Sequence, residues 1–271
     1  MNDLRSLADA ISALSPAARV TLACYLVMAI AVVIDVAVMH ANREGIAGGR
    51  MRFLLVTISV SLVLAIPLAW IGAAIWSHLE LLAPAPIRRT WEASPVLAFA
   101  ACFVVVDAVA YLYHWVGHHT RIGWASHRVH HLGETFDVTL VLRQPWLPVH
   151  GLVIVPLTAL AGFSIGMAAA CTSISLAYQA IQHTSHGWTA GPLERVLVSG
   201  ESHRRHHVVE CGAVNLGTVF NVWDKALGTW CDETLEAYEA YGVGEPEPES
   251  PIEAQIEGWR RVRRSAEAAW R

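Results

Sequence analysis

The chain has 271 residues, of which 54% are hydrophobic and only 15% are charged, and its formal net charge is −4. Soluble domains carry about 25% charged residues, so this composition argues against a soluble protein. The negative net charge gives no electrostatic support for binding nucleic acid, and we expect no nucleic-acid partner. The five cysteines form no CxxC pair, which argues against an Fe–S cluster.

In chain order, four apolar stretches are long enough to enter a bilayer: residues 17–39, 53–76, 95–116 and 146–181. A spanning helix needs about 20 residues, so each of the first three predicts one crossing. The fourth is too long for one helix and suits two short ones, with breaks expected at Pro156 or within 162–166. We therefore predict an all-α integral membrane helical bundle with four or five crossings.

Histidines cluster on both sides of the fourth stretch, at 114–131 and at 183–207. If both sets build one site, an even number of crossings lies between them, which predicts a helical hairpin at 146–181. Arginines near the histidines favour the cytoplasm for this face. Lys225 is the only lysine among 19 basic residues, which is typical of a GC-rich bacterial genome. We predict a multi-pass protein of the bacterial inner membrane with a histidine-rich cytoplasmic cap.

Two flanking segments have apolar stripes at helical spacing, at 4–14 and at 252–270. Each is interpreted either as an ordinary packing helix or as an interfacial helix that touches anionic lipid. Residues 242–251 are rich in Glu, Pro and Gly and predict a linker.

Twelve of the 14 histidines fall within residues 114–207, where they form four short motifs. These motifs are HxxxH at His114 and His118, HxxHH at His127, His130 and His131, HxxH at His183 and His186, and HxxHH at His203, His206 and His207. Helix positions i, i+3 and i+4 share a face, so each motif points two or three imidazoles one way. About ten donors exceed the four to six that one metal uses, so the count favours two metals. Spacing alone does not identify the metal.

The region 107–230 resembles the fatty acid hydroxylase/sterol desaturase superfamily of membrane di-iron, histidine-box proteins. The matching motifs are Asp107-x3-Tyr111-x2-His114-x3-His118, the HRVHH of 127–131, Gln182-His183-Thr184, the HRRHH of 203–207, Asn215-Leu216-Gly217, Trp223-Asp224 and Gly228-Thr229. This combination is specific for the superfamily but not for a substrate.

The resemblance implies two iron ions, O2 as co-substrate and electrons from a separate donor such as a ferredoxin, a cytochrome or a reductase. It implies nine ligands, with His186 as a less regular tenth: His114, His118, His127, His130, His131, His183, His203, His206 and His207. Four further residues are candidates to orient the imidazoles or, equally, to cap loops: Asp107, Asp137, Asn215 and Asp224. We expect one hydroxylase-like domain over 1–271, with a core at about 95–232 and a C-terminal linker and surface helix at 242–271.

The resulting hypothesis is an O2-dependent enzyme that hydroxylates a fatty acyl, sterol-like or other membrane lipid. A desaturase would use the same site and the same first step. A protein of another class, a non-enzymatic metal-binding or transport protein, would usually place its ligands near the bilayer midplane, whereas these histidines lie beyond the helix ends. The chain has no dinucleotide-binding or haem-attachment motif, so the electron donor is expected to be separate, with the basic run at Arg260–Arg264 as one docking face.

Overall fold

The computed structural model describes residues 9–42, 48–146, 151–232, 240–246, 248 and 250–269. Within these ranges the regular structure is helical, apart from two isolated β-bridges. The α-helices are α1 (Pro16–Ala41), α2 (Gly48–Leu79), α3 (Ala85–Ala93), α4 (Pro95–His119), α5 (Arg121–His127), α6 (Gly151–Leu160), α7 (Ile165–Gln182), α8 (Gly200–His206), α9 (Val222–Leu227) and α10 (Pro251–Ala269). Short 3-10 turns lie at Glu80–Leu82, Arg128–His131, Leu140–Leu142, Gly191–Arg195 and Val209–Cys211.

Three helices, α1, α2 and α4, are long and apolar enough to cross a membrane, as the first three apolar stretches predicted. Helix α1 begins where Ser15 accepts a hydrogen bond from the backbone N–H of Ala18 at 3.2 Å. Large apolar side chains such as Val63 and Trp70 on α2 are exposed, which suits a surface that lipid covers. These three helices form part of the bundle, and the histidine motifs lie at one end of it.

The fourth apolar stretch forms a hairpin of two helices, α6 and α7. The chain turns at Gly162, whose φ is +78°, a left-handed conformation that favours glycine. The break within 162–166 is thus confirmed, whereas Pro156 lies inside α6 and does not end it. The described part of helix α6, Gly151–Leu160, rises about 15 Å, half the thickness of the hydrocarbon core.

The turn of this hairpin lies at the end of the bundle opposite the histidines. Trp91, just before α4 begins, donates from Nε1 to the carbonyl oxygen of Ala161 at 2.9 Å and stacks on Phe163 with ring centroids 5.1 Å apart. Helix α4 runs from this end to His118, and α7 returns from it to His183. Both sets of histidines therefore lie at the same end of the bundle; the membrane face they occupy stays a prediction.

Helix α10 packs against α5 at the histidine end. Its Gly258 approaches α5 so closely that a Cβ atom there would lie 2.5 Å from the carbonyl oxygen of Ala125. Gln255 accepts from the backbone N–H of Trp146 at 3.0 Å and donates to the carbonyl oxygen of Gln144 at 2.9 Å. The helix therefore packs against the histidine end, as the first interpretation expected; contact of its basic face with anionic lipid stays a prediction. Of the N-terminal stripe at 4–14, residues 4–8 lie outside the described residues, and residues 9–12 are helical.

Candidate metal centre

The histidine motifs converge into two adjacent groups. One group has five members: His114, His118, His127, His131 and His206. The other has four members: His130, His183, His203 and His207. In each group the candidate ligand nitrogens all lie within 4.8 Å of one another. The nine histidines that the resemblance implied are thus brought together from four separate segments of chain.

Both HxxHH motifs contribute to both groups. The pairs at i and i+4, such as His127 with His131, stay in one group, whereas the middle histidine, His130 or His206, joins the other. In α8 each residue turns the helix by about 100°, so positions i and i+4 differ by about 40° while i+3 and i+4 differ by about 100°. Of the two or three imidazoles that each HxxHH was expected to point one way, two do so. Because each HxxHH motif contributes histidines to both groups, the two groups are adjacent.

Side-chain caps start the two helical segments that carry these motifs. Thr120 Oγ1 accepts from the backbone N–H of Gly123 at 3.0 Å, which starts α5. Ser199 and Ser202 form a reciprocal capping box that starts α8, with distances of 3.2 and 3.0 Å. Each cap fixes the residue at which its helix begins, and so the direction in which the histidines of that helix point.

Four imidazoles are oriented by backbone carbonyl oxygens at Nδ1. The pairs are His114 with Leu216 (2.7 Å), His206 with Val214 (2.9 Å), His130 with Leu140 (2.9 Å) and His183 with Gln179 (2.7 Å). A carbonyl oxygen only accepts, so each Nδ1 carries the ring proton and Nε2 presents a lone pair. The bonds at Nδ1 therefore select the tautomer that binds a metal through Nε2.

The arrangement of the Nε2 atoms fits metal ions. Those of His130 and His183 lie 3.1 Å apart although both carry lone pairs, which repel unless a cation lies beside them. Two nitrogens, each about 2.1 Å from one metal and at right angles to each other, would be about 3.0 Å apart. Among the described residues, the buried Nε2 atoms of His114, His118 and His206 have no hydrogen-bond partner. A metal ion would satisfy these orphaned acceptors.

The electrostatics of the site keep the imidazoles neutral. Burial lowers the pKa of His183 to about 4. Burial, and then repulsion from neighbouring imidazoles, lowers the pKa of six others far below the usual value: His127, His130, His131, His203, His206 and His207. Neutral imidazole is the form that binds metal, so the site is prepared for it at neutral pH.

Two of the predicted orienting residues, Asp107 and Asp224, hold the segment that supplies carbonyl oxygens to the five-histidine group. Asp224 accepts from the backbone N–H of Leu216 at 2.7 Å, and the carbonyl of Leu216 holds His114. Asp107 accepts from the backbone N–H of Val219 at 2.9 Å. Burial raises the pKa of Asp224. Both carboxylates act on imidazoles through the backbone.

Asn215 and Asp137 also bond to backbone. Asn215 has a φ of +51° and joins α8 to the C-terminal part of the core, with Nδ2 3.0 Å from the carbonyl oxygen of Ser202 and Oδ1 2.9 Å from the N–H of Cys231. Asp137 accepts from the N–H of Thr139 at 2.9 Å, next to Leu140, whose carbonyl holds His130. Each stabilises a turn that carries or orients a histidine.

Two histidines near the motifs lie outside both groups. His186 is exposed, and its Nδ1 is 3.4 Å from the hydroxyl of its neighbour Ser185. His119 was not among the predicted ligands. It is also exposed, and it stacks on Trp115 with ring centroids 4.2 Å apart. Asp35 was not predicted to lie near the site, yet it accepts hydrogen bonds from Ser185 and Val138 in loops that adjoin it. An acidic residue inside an apolar stretch is the signal that could have found it.

Comparison with known proteins agrees with this geometry. Residues 99–229 match the family described as Fatty acid hydroxylase. This segment, nearly half of the chain, belongs to the fatty acid hydroxylase superfamily. The match begins in α4 and ends after α9, so it contains all nine histidines and leaves out α1, α2 and α10.

Curated relatives include three alkylglycerol monooxygenases. The human protein is 28% identical over 212 residues, which cover 75% of this chain and 46% of that protein. The Xenopus tropicalis protein is 28% identical, with coverages of 68% and 40%. The Danio rerio protein is 32% identical, with coverages of 53% and 32%. The chain spans less than half the length of these relatives. No solved structure matches it significantly.

An apolar cavity leads to the histidines of this chain. Its apolar walls come from α4, α6 and α7, with Val106, Ala110, Ile154 and Leu176. It reaches His114 and His127 of the five-histidine group and His130 and His203 of the four-histidine group. A ligand in this cavity would touch both groups.

A second, more polar cavity reaches the five-histidine group through different imidazoles. It is lined by His118, His131 and His206, together with Trp124, Arg121, Arg128, Arg261 and Glu245. Glu245 pairs with Arg128 at 2.8 Å and with Arg261 at 2.7 Å. The histidines thus stand between an apolar cavity and a polar one.

Proposed function

We propose that this chain is a di-iron monooxygenase that hydroxylates a membrane lipid. The observation that carries the proposal is the contact of both histidine groups with one apolar cavity. Five and four buried imidazoles suit two metal ions better than one. The membership in the fatty acid hydroxylase superfamily supports iron as the metal. His186 is left out of the proposed ligand set because its side chain is exposed.

Bound iron would supply O2 activation, which no protein side chain provides by itself. The overall reaction converts a C–H bond, O2, two electrons and two protons into an alcohol and water. The electrons would come from a separate donor, because the sequence has no dinucleotide-binding or haem-attachment motif. The residues of the chain keep nine imidazoles neutral and oriented, and the apolar walls keep water from the reacting carbon.

We propose a single-chain ether lipid, of the alkylglycerol kind, as the substrate class. The curated relatives named alkylglycerol monooxygenase support this choice. Along α4, the cavity extends from His114 back to Val106, about 12 Å at 1.5 Å per residue, a depth that suits one alkyl chain. The substrate would enter from the bilayer, and the histidine end would face the cytoplasm of a bacterial inner membrane.

The test uses the full chain, purified in detergent and loaded with Fe(II). It is incubated with a chemical or enzymatic reductant, ¹⁸O2, and either an alkylglycerol or a fatty acid of the same chain length. We expect ¹⁸O in an alcohol formed from the alkylglycerol. His130→Ala should abolish the product, whereas His119→Ala, next to the site but outside both groups, should not.

Each alternative has a distinct outcome. A new double bond without ¹⁸O would identify a desaturase. Iron uptake into vesicles containing the protein, with no lipid product, would identify a transport protein. An iron-loaded, folded chain that changes no lipid contradicts the proposal.

A further inference from the structure

Asp35 is a buried acidic residue for which the proposed chemistry has no use. It lies on α1, one of the three helices long enough to cross a membrane, and its exposed fraction is 3%. It is outside the segment that matches the family. A carboxylate at such a place is costly unless hydrogen bonds compensate it, so its partners indicate what it does.

The Asp35 carboxylate binds two loops of the histidine end. Oδ1 accepts from the backbone N–H of Ser185 at 2.8 Å and from its hydroxyl at 2.7 Å. Oδ2 accepts from the backbone N–H of Val138 at 3.1 Å. One side chain therefore ties two segments that are distant in sequence to α1.

Both loops control members of the four-histidine group. Ser185 follows His183 by two residues. Val138 precedes Leu140 by two residues, and the carbonyl of Leu140 accepts from His130 Nδ1 at 2.9 Å. The Nε2 atoms of His130 and His183 lie 3.1 Å apart. The separation of these two nitrogens thus depends on loops that Asp35 fixes.

We propose that Asp35 is a positioning residue that holds the four-histidine group in its metal-binding geometry. The inference rests on the proposed metal centre. It is selective, because the five-histidine group is braced elsewhere: Leu216 holds His114, and Asp224 holds Leu216. Loss of Asp35 should weaken one metal site and spare the other.

The three hydrogen bonds predict a graded series of variants. In Asp35→Asn, the amide oxygen still accepts from Ser185, but the amide nitrogen cannot accept from the N–H of Val138. In Asp35→Ala, all three acceptor contacts are lost. Asn should therefore have a smaller effect than Ala. Asp224→Asn is the matched counterpart, since it weakens the brace of the other group.

The experiment measures iron bound per chain and the affinity of each ion, by Fe(II) titration of detergent-purified variants. Losing a residue that orients metal ligands typically weakens metal binding 10- to 100-fold. We expect a loss of about this size for one of two ions in Asp35→Ala, and a smaller loss in Asp35→Asn. Histidine modification followed by peptide mapping should find His183 newly reactive in Asp35→Ala and His114 still protected; Asp224→Asn should give the reverse.

Unchanged iron affinity in Asp35→Ala overturns the inference, as does an equal loss from both groups in a folded variant. If Asp35→Ala does not fold, Asp35→Asn decides on the same criteria. A wild-type chain that binds no iron contradicts the proposed function, and this inference with it. A wild-type chain that binds two ions beside an unchanged Asp35→Ala contradicts the role of Asp35 alone.

Discussion

The two histidine groups differ in where their supports come from. The five-histidine group is braced by carbonyls at Leu216 and Val214, within the segment that matches the family. The four-histidine group depends on Leu140 and, through two loops, on Asp35 of α1, outside that segment. The difference teaches that the supports of one group lie within a compact motif region, while the proposed supports of the other also include a distant apolar helix.

The largest expected effect is the removal of one ligand from each group. His130→Ala should remove one iron of two, and His118→Ala should remove the other, because each group has its own set of donors. Lipid product should fall at least about 100-fold in either variant, about 2.7 kcal/mol in the barrier. Iron analysis and product formation measure this. His119→Ala is the control, and loss of both ions in each variant would show that the groups are not independent.

Next in size is the brace of the five-histidine group. Asp224→Asn weakens the contacts that hold Leu216, and a loss of about 10- to 100-fold in iron affinity at this group is expected. Fe(II) titration measures it. The affinity of the four-histidine group should stay within about threefold of the wild-type value, a difference of about 0.65 kcal/mol. A larger change there would contradict separate bracing.

The apolar cavity contacts both histidine groups. Filling it should therefore lower turnover without changing how the two groups are braced. Ala110→Phe puts a ring into the cavity, and turnover of long-chain lipid should fall by about tenfold, or about 1.4 kcal/mol, while iron content is unchanged. Assays with lipids of decreasing chain length measure it, and short chains should be affected least. Leu112→Phe, on an exposed face of α4, is the matched control. Equal loss in both variants would contradict the assignment of the cavity.

The last expected effect is on stability rather than on turnover, and it concerns the metal-free protein in acid. The folded-state pKa of His183 is about 4, below the unfolded value of 6.5, so the unfolded state takes up its proton first as the pH falls. Stability contributed by neutral His183 is therefore present above pH 6.5 and decreases toward pH 4, by up to about 1.4 kcal/mol per pH unit. Denaturant unfolding at several pH values measures it. His183→Gln should have a shallower pH dependence; an unchanged slope would contradict the shift.

Local sequence patterns predicted the parts of the site that depend on helical geometry. The spacing of HxxxH and HxxHH brought eight of the nine histidines into the prediction, the HxxH motif and the family resemblance added His183, and long apolar runs predicted α1, α2 and α4. The break near Gly162 was also predictable, because glycine allows a left-handed turn.

What the sequence did not predict depends on how distant segments meet. The division of each HxxHH motif between two groups requires the orientation of α5 relative to α8. His186 shares spacing with His183, but α7 ends at Gln182, so the helical rule does not apply to it. The contact of Asp35 with Ser185 joins residues 150 positions apart, a separation that no local pattern encodes.

The placement of the imidazoles between two cavities has a consequence for traffic through the molecule. Under the proposed function, an alkyl chain would approach His130 and His203 through the apolar cavity, whereas water and charged species would approach His118 and His206 through the polar cavity, past Arg121 and Glu245. Neither kind of reactant would have to pass the other. An alcohol formed on one side would return to the bilayer while protons are delivered from the aqueous side.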